Sequence, residues 1–371
     1  MLHNKKLIAM LGGGQLGLMF VEKAQMMGEK VLVLDPDPDC PAGKIADKFI
    51  NADYLDSEAL GIIIESCSSC TTEFENIPYK TLEILEKEID VFPKSSALRI
   101  TQDRILEKKF LHEINILTTE YYEIKSAHEL ETLNNIQNWP YIIKTSTFGY
   151  DGKGQIIVNN YNELIAAHSK LKSDNFVLEK KVELKKEVSQ VAAAYDDEII
   201  YLPISENIHI NNILHKSLVP ADINEDSTEQ IKNITKKIIR ELNYKGIICI
   251  EFFIDMYDSI LVNEIAPRTH NSGHYSIEGC SISQFEHQVK IISNQKPENS
   301  TLKSPSVMIN LLGDLWDKSS PNFDDTNKSV FIHLYNKTTP KKGRKMGHIT
   351  VVDKNLQSAN NIAEEEFKKL S

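Results

Sequence analysis

This chain is short of several things, and each shortage narrows what it is. No apolar run approaches the ~20 residues that a membrane-spanning helix needs. The first residues, MLHNKKLIAML, run straight into a predicted strand, which argues against a secretory leader. Positive charge is in deficit: 42 Lys and Arg against 53 Asp and Glu give a formal net charge of −11. That argues against general nucleic-acid binding, though not against a local basic pocket. Cysteine is sparse and odd in number (Cys40, Cys67, Cys70, Cys249 and Cys280), which fits a reducing cytoplasm and not a disulfide framework. Cys67-Ser-Ser-Cys70 matches C-x-x-C without the second pair a metal site would use. It reads as two small residues near a buried strand or as a redox pair. Internal repeats, low-complexity tracts and the G-x-x-x-x-G-K-[ST] phosphate signature are also absent.

The rest is ordinary for a globular protein: 371 residues, 41% hydrophobic and 26% charged, enough for two or three domains. Near the start, AMLGGGQLGLMF places Gly12, Gly14 and Gly17 as G-x-G-x-x-G between an apolar run, Leu7 to Leu11, and a helical stretch, Leu16 to Ala24. The strand KVLVLD then ends on Asp35. This is the outline of a dinucleotide-binding unit, with an acid placed for a ribose hydroxyl, or of a loop holding another phosphate. Strand and helix signals alternate to about residue 95, which predicts a doubly wound parallel sheet. Beyond it come one charged amphipathic helix from Thr101 to Glu113, a strand YIIKT, the loop STFGYDGKG, a strand QIIVN, a helix Asn162 to Leu171 and a strand FVLEKKV. Antiparallel strands, a helix Ser227 to Leu242 and a hairpin GIICIEFFIDMYDSILVNEIAPR follow. The segment Lys296 to Pro305 reads as a boundary loop. After it come the short strands SVMINLLG, SVFIHLY and HITVV and a helix from Ser358.

Three clusters carry chemistry. In the hairpin, Glu251 and Glu264 are equidistant from a turn between Tyr257 and Asp258, so they face each other with Cβ atoms ~5 Å apart, where like charges destabilise a sheet. A divalent cation removes the conflict, and Mg²⁺ prefers carboxylates plus substrate phosphates. Outward rotation of one acid, or a neutralising Lys or Arg, does so too. Asn263 is adjacent, and Arg268, His270, Asn271 and His274 crowd the strand end as PRTHNSGH. Asn-Ser-Gly spoils a helical i, i+4 zinc pair, so a hydrogen-bonding loop is expected there. The loop TSTFGYDGKGQ has glycines whose N–H groups fold over an anion, with Lys144 and Lys153 as cations, or it is a hairpin tip. In YNKTTPKKGRKMGH, the residues Lys337, Lys341, Lys342, Arg344 and Lys345, with His348 as a potential sixth cation, favour an anionic ligand, or form a solvated charged loop.

Together GGGQLG, TTEFENI, FGYDGKGQ, NEIAPRTHNSGH, SISQFE and GRKMGH resemble the N5-carboxyaminoimidazole ribonucleotide synthase family of ATP-grasp enzymes, over nearly the whole chain. The resemblance implies an α/β and α+β architecture. A Rossmann-like domain would span 1–100, an ATP-grasp domain 101–298 (lid 115–182, larger sheet 183–298) and a C-terminal domain 299–371. The implied reaction joins bicarbonate to 5-aminoimidazole ribonucleotide, with ATP cleaved to ADP and phosphate through carboxyphosphate, in purine biosynthesis. Arg104, Lys144 and His209 would contact ATP, and Gly149, Tyr150, Asp151, Gly152, Lys153, Gly154 and Gln155 would close on its phosphates. Glu179, Lys180, Lys181 and Val182 would form the adenine hinge, and Glu187 would accept from the ribose. Glu251 and Glu264 would hold Mg²⁺ (or Mn²⁺), assisted by Asn263 or Asn271.

The substrate would meet Gly14, Gln15 and Leu16 and the basic residues Lys337, Arg344 and Lys345 at its phosphate. Glu73 or Glu75, Tyr150, Asp151 and Lys153 would meet its sugar and ring, with His270, Asn271 and Ser272 nearby. Asp151 and Lys337 are expected nearest the amine, and Arg268 on the bicarbonate side. The first glycine loop then serves substrate, not NAD. A cytoplasmic homodimer is implied, with no nucleic-acid or membrane partner and with product passing to the mutase. Rival readings are a formate-dependent glycinamide ribonucleotide transformylase and, remotely, an NAD-dependent dehydrogenase.

Overall fold

The computed structural model describes residues 7–147, 149, 153–316, 321 and 327–370. Its first layer is parallel. Strand β1 (Leu7–Leu11), helix α1 (Gln15–Met26), β2 (Val31–Leu34), β3 (Lys48–Ile50), α2 (Ser57–Ser66), β4 (Cys67–Thr72), α3 (Tyr79–Leu85) and β5 (Asp90–Val91) build a sheet of order β3-β2-β1-β4-β5. LIAML and VLVL are apolar at every position because helices cover both faces of a parallel sheet. Phe20 and Val21 of α1 and Phe285 and Val289 from far along the chain share one core there. Cys67 and Cys70 are buried in β4, and no disulfide joins them.

The single helix expected from Thr101 to Glu113 is two: α4 (Ser95–Thr101) and α5 (Arg104–Glu113). Asp103 breaks them, its carboxylate accepting from the Ile105 N–H at 2.8 Å as the N-cap of α5. The lid holds β6 (Tyr121–Ile124), α6 (Ala127–Thr132), β7 (Tyr141–Thr145), β8 (Gln155–Val158), α7 (Tyr161–Lys170) and β9 (Phe176–Lys180), in the antiparallel order β6-β9-β7-β8. β6 and α6 went unread in the sequence because they are short, four and six residues, too brief to show a period.

A nine-stranded sheet follows. It contains β10 (Leu184–Tyr195), β11 (Glu198–Tyr201), β12 (Ser205–Ile210), β13 (Ile213–Val219), β14 (Gly246–Asp255) and β15 (Ile260–Ala266), with α8 (Glu225–Glu241) packed on it. After a 3₁₀ turn, Asn271–Gly273, come α9 (Ser276–Gly279) and α10 (Gln284–Ile292). The C-terminal strands β16 (Ser306–Leu312), β17 (Val330–Leu334) and β18 (Lys345–Val352) continue the same sheet, in the order β15-β14-β10-β12-β13-β16-β18-β17, and α11 (Leu356–Leu370) covers them. No helix among the described residues is long and apolar enough to cross a membrane.

Candidate active site

The hairpin β14–β15 pairs Glu251 with Glu264. Its register slips by one between Glu251 and Phe252, so Asn263 is the extra residue of a bulge, and its amide lies 3.5 Å from Glu251 Oε2. The two acid side chains are 22% and 34% exposed, opening on a cleft. Besides the Asn263 amide, His270 Nε2 lies 3.2 Å from Glu251, and Arg104 reaches Glu264 at 3.0 Å. Burial and the facing Glu264 charge push the Glu251 carboxyl up to about 7.

The glycine loop and α5 supply the cations. Lys144 on β7 meets Glu179 of β9 at 2.6 Å, and Lys108 of α5 meets the other oxygen at 3.2 Å. Burial alone would raise Glu179, but Lys144, Lys108 and Arg104 overcome it and hold the carboxyl at about 2. Glu179 is thus the anion between two ammonium groups. Gly154 has φ +74°, and a Cβ on it would stand 3.7 Å from Gly149 Cα, while a Cβ at Gly149 would stand 3.5 Å from the Arg104 guanidinium, so the two ends of the loop meet and Gly149 lies beside Arg104. Gln155 pairs with Lys144 across β7 and β8. Tyr150, Asp151 and Gly152 lie outside the described residues; Lys153 lies at the loop's far side. Lys181 to Glu183 link the lid to the nine-stranded sheet, which puts Lys181 and Val182 at the joint, while the Lys180 amine sits 5.0 Å over the Tyr141 ring. On the sheet, His209 Nδ1 meets Glu187 at 2.6 Å. Burial lowers the His209 pKa, but the Glu187 hydrogen bond and charge outweigh it and raise the imidazole above its ordinary value.

At the first glycine loop the structure departs from expectation. The N–H groups of Gly14 and Leu16 donate to the buried Glu73 carboxylate, Leu16 at 3.0 Å, and Gly13 donates to Asp35 at 2.6 Å. Two protein carboxylates therefore hold the α1 N-terminus, and Gly14 and Leu16 are not open to a phosphate in this state. Tyr54 also donates to Asp35. Glu75 is separated from Glu73 in role: it forms a buried ion pair with Arg268. Burial would raise Glu75, but the guanidinium holds it below the usual carboxylate range.

The basic cluster reaches the carboxylate pair through Lys345, whose charge acts on Glu251, His209 and His270. Lys337 donates to the Lys345 carbonyl at 2.8 Å, and Arg344 to the Thr339 carbonyl at 2.9 Å. His348 is not the sixth cation. It is fully buried, accepts or donates at the Tyr335 hydroxyl at 2.8 Å, and burial holds its pKa well below the ordinary value. Asn271 also departs from the metal set. It makes a reciprocal amide pair with Asn310 of β16, at 3.0 and 2.7 Å, which leaves Asn263 as the amide beside Glu251. Ser272 is fully buried. His270 to His274 form the hydrogen-bonded loop expected of them, closed by a 3₁₀ turn at Asn271–Gly273.

Among the described residues no group of three or more His, Cys, Asp or Glu gathers as a ready metal cage. A hard divalent ion still fits the pair: two facing carboxylates and an amide give oxygen ligands, the strained charge at Glu251 is what such an ion relieves, and the remaining positions suit phosphate oxygens. Sequence reasoning missed Lys108, Glu107 and Gln284. The first two occupy the apolar stripe of α5 beside Ile105 and Leu111, and charges on a buried stripe were the available signal.

Known families match this geometry. Residues 5–102 match the ribonucleotide synthetase preATP-grasp domain, residues 109–285 the ATP-grasp domain, and residues 306–362 the phosphoribosylaminoimidazole carboxylase C-terminal domain. N5-carboxyaminoimidazole ribonucleotide synthase of Staphylococcus aureus strain COL is 40% identical over 347 residues, 93% of this chain and 92% of its own. The chain belongs to the N5-carboxyaminoimidazole ribonucleotide synthase family. A solved S. aureus N5-carboxyaminoimidazole synthetase complexed with ADP superposes with TM-score 0.90 at 37% identity, over 99% of this chain and 97% of that one. The Aspergillus clavatus synthase in complex with ADP and 5-aminoimidazole ribonucleotide gives TM-score 0.88 at 28% identity, over 99% of both chains.

Proposed function

We propose that the cleft between lid, hairpin and basic loop carries the family's reaction: 5-aminoimidazole ribonucleotide, bicarbonate and ATP give N5-carboxyaminoimidazole ribonucleotide, ADP and phosphate. The observation that carries this reading is the convergence of Arg104, His270 and Lys345 on the facing Glu251 and Glu264, with Lys144 held on Glu179, whose charge Arg104 also meets. Phosphoryl transfer needs positioning and charge neutralisation more than a nucleophilic side chain. Arg104 and Lys144 neutralise nucleotide phosphate. Val182 and its neighbours at the joint hold the base, and Glu187 with His209 holds the ribose. Glu251, Glu264 and Asn263 are the set that would hold Mg²⁺, which when bound supplies charge to the transferring phosphoryl group.

Arg268, kept charged and fixed by Glu75, orients bicarbonate. Its activation by ATP gives carboxyphosphate, which, or carbon dioxide from it, meets the amine. Asp151 and Lys337 orient that amine, and the Asp151 carboxylate takes up its proton. Lys153, Arg344 and His270 border the substrate. Closure of the glycine loop would keep water from a labile anhydride. The working unit is proposed to be a homodimer, handing product to the mutase; sedimentation of the purified chain tests the former. The test of function is ADP formation that requires both bicarbonate and the aminoimidazole ribonucleotide. ADP release indifferent to either one overturns the reading.

A further inference from the structure

The motif SISQFE holds a residue the reaction does not use. Gln284 is fully buried at the first position of α10. Its Nε2 donates to the His270 carbonyl at 2.8 Å, and its Oε1 accepts from the His270 N–H at 2.9 Å. A side-chain amide thus bonds both backbone groups of one residue, as a neighbouring strand would. The same Nε2 lies 3.1 Å from His274 Nδ1. The Gln284 N–H donates to Ser276 Oγ at 3.0 Å, and that hydroxyl donates to the Gly273 carbonyl at 2.6 Å. A Cβ on Gly273 would stand 2.6 Å from Gln284 Oε1, so glycine there is what lets the amide in.

The residue so clamped touches the acids. Ser272 N–H lies 3.3 Å and Ser272 Oγ 2.8 Å from His270 Nδ1, so that nitrogen is held on Ser272 and Nε2 faces Glu251 Oε1 at 3.2 Å. An imidazole aimed at a carboxylate needs its backbone fixed, because a buried carboxylate without its donor relaxes elsewhere.

We infer that Gln284 is a positioning residue: by holding the His270 backbone it aims the imidazole at Glu251 and so sets the orientation of the carboxylate pair. The inference rests on the reading that this pair binds the divalent ion.

Two variants of the full chain test it. Gln284→Met removes the clamp with little change of volume, and Gly273→Ala displaces the amide without altering it. Each is measured for ADP affinity without metal, for Mn²⁺ affinity in the presence of ADP by electron paramagnetic resonance, and for kcat. The expected result is metal-free ADP affinity as in the parent, with Mn²⁺ affinity and kcat each down about 10- to 100-fold. Parental Mn²⁺ affinity in both variants overturns the inference. So does an equal loss of metal-free ADP binding, which is the mark of general loosening. A parent chain without bicarbonate-dependent turnover defeats the proposed function instead, and the Mn²⁺ titration still decides on Gln284.

Discussion

At Glu251, burial and the facing Glu264 lift the carboxyl from its ordinary 4.5 to about 7. Between those values the folded chain keeps a proton that the unfolded chain releases. The metal-free protein therefore loses stability from this group as pH rises through that window. Thermal melts without metal should fall between pH 5 and pH 8, and Glu251→Gln should flatten part of the fall. Protons and metal compete for the same oxygens, so Mg²⁺ should raise the melting temperature more at pH 8 than at pH 6, and Glu251→Gln should lose most of that increment. Lys108 gives a second expectation. Its ammonium, 1% exposed, is held by Glu179 and by the Thr118 and Thr119 hydroxyls at 3.0 and 3.1 Å. Lys108→Met leaves Glu179 paired with Lys144 and should cost about 1–3 kcal/mol, whereas Glu179→Gln leaves both ammonium groups without their anion and should cost about 3–5 kcal/mol in urea denaturation. The acids at 251 and 264 were legible only because two departures cancel: the ladder centres the turn on Tyr257 and not between Tyr257 and Asp258, and the extra residue at Asn263 brings Glu264 back opposite Glu251. Lys108 was not, because its partner is 71 residues away and no spacing rule connects α5 to β9.

The elements show where a pattern is true and its ligand is not. G-x-G-x-x-G did mark a strand, a tight turn and a helix, with Gly12 at φ +100°. The positive end of α1 attracts an anion, and in this fold the anion is Glu73, delivered by the end of β4. Nothing in the spacing distinguishes a carboxylate of the same chain from a phosphate. Glu73→Ala should strand the Gly14 and Leu16 amides and cost about 1–3 kcal/mol. Inorganic phosphate should restore part of the loss in a melt if the emptied terminus then takes that ion. The bulge at Asn263 was equally invisible, since a one-residue slip inverts the alternation beyond it and nothing in LVNEIA marks where the extra residue falls. It turns the amide toward Glu251 and corrects the choice of Asn271. The break at Asp103 was present in the sequence as an N-cap residue inside a helical pattern.

For the whole molecule, the parallel first layer and the order of elements were readable from alternating apolar runs. The unity of the large sheet was not, because the pairing of β13 with β16 joins residues 216–219 to 306–309, and such long-range register leaves no periodic trace. The consequence for stability is that the last 70 residues or so are not an appendage. Cutting the chain at Pro305 would bare the edge of β13, remove the Glu364 and Asn360 partners of Lys216, and leave an open strand prone to association. Such a fragment should aggregate where the full chain stays monodisperse, as light scattering would show.

Helix α5 touches both halves of the nucleotide cleft. Arg104 reaches across to Glu264 of the hairpin, and Lys108, one turn on, reaches Glu179 of the lid. Those two grips share a phase: at 100° per residue, one residue inserted between them would swing the second grip a quarter-turn away. Drift in length is therefore forbidden across these four positions, so this short helical interval acts as the gauge that keeps lid and hairpin in step.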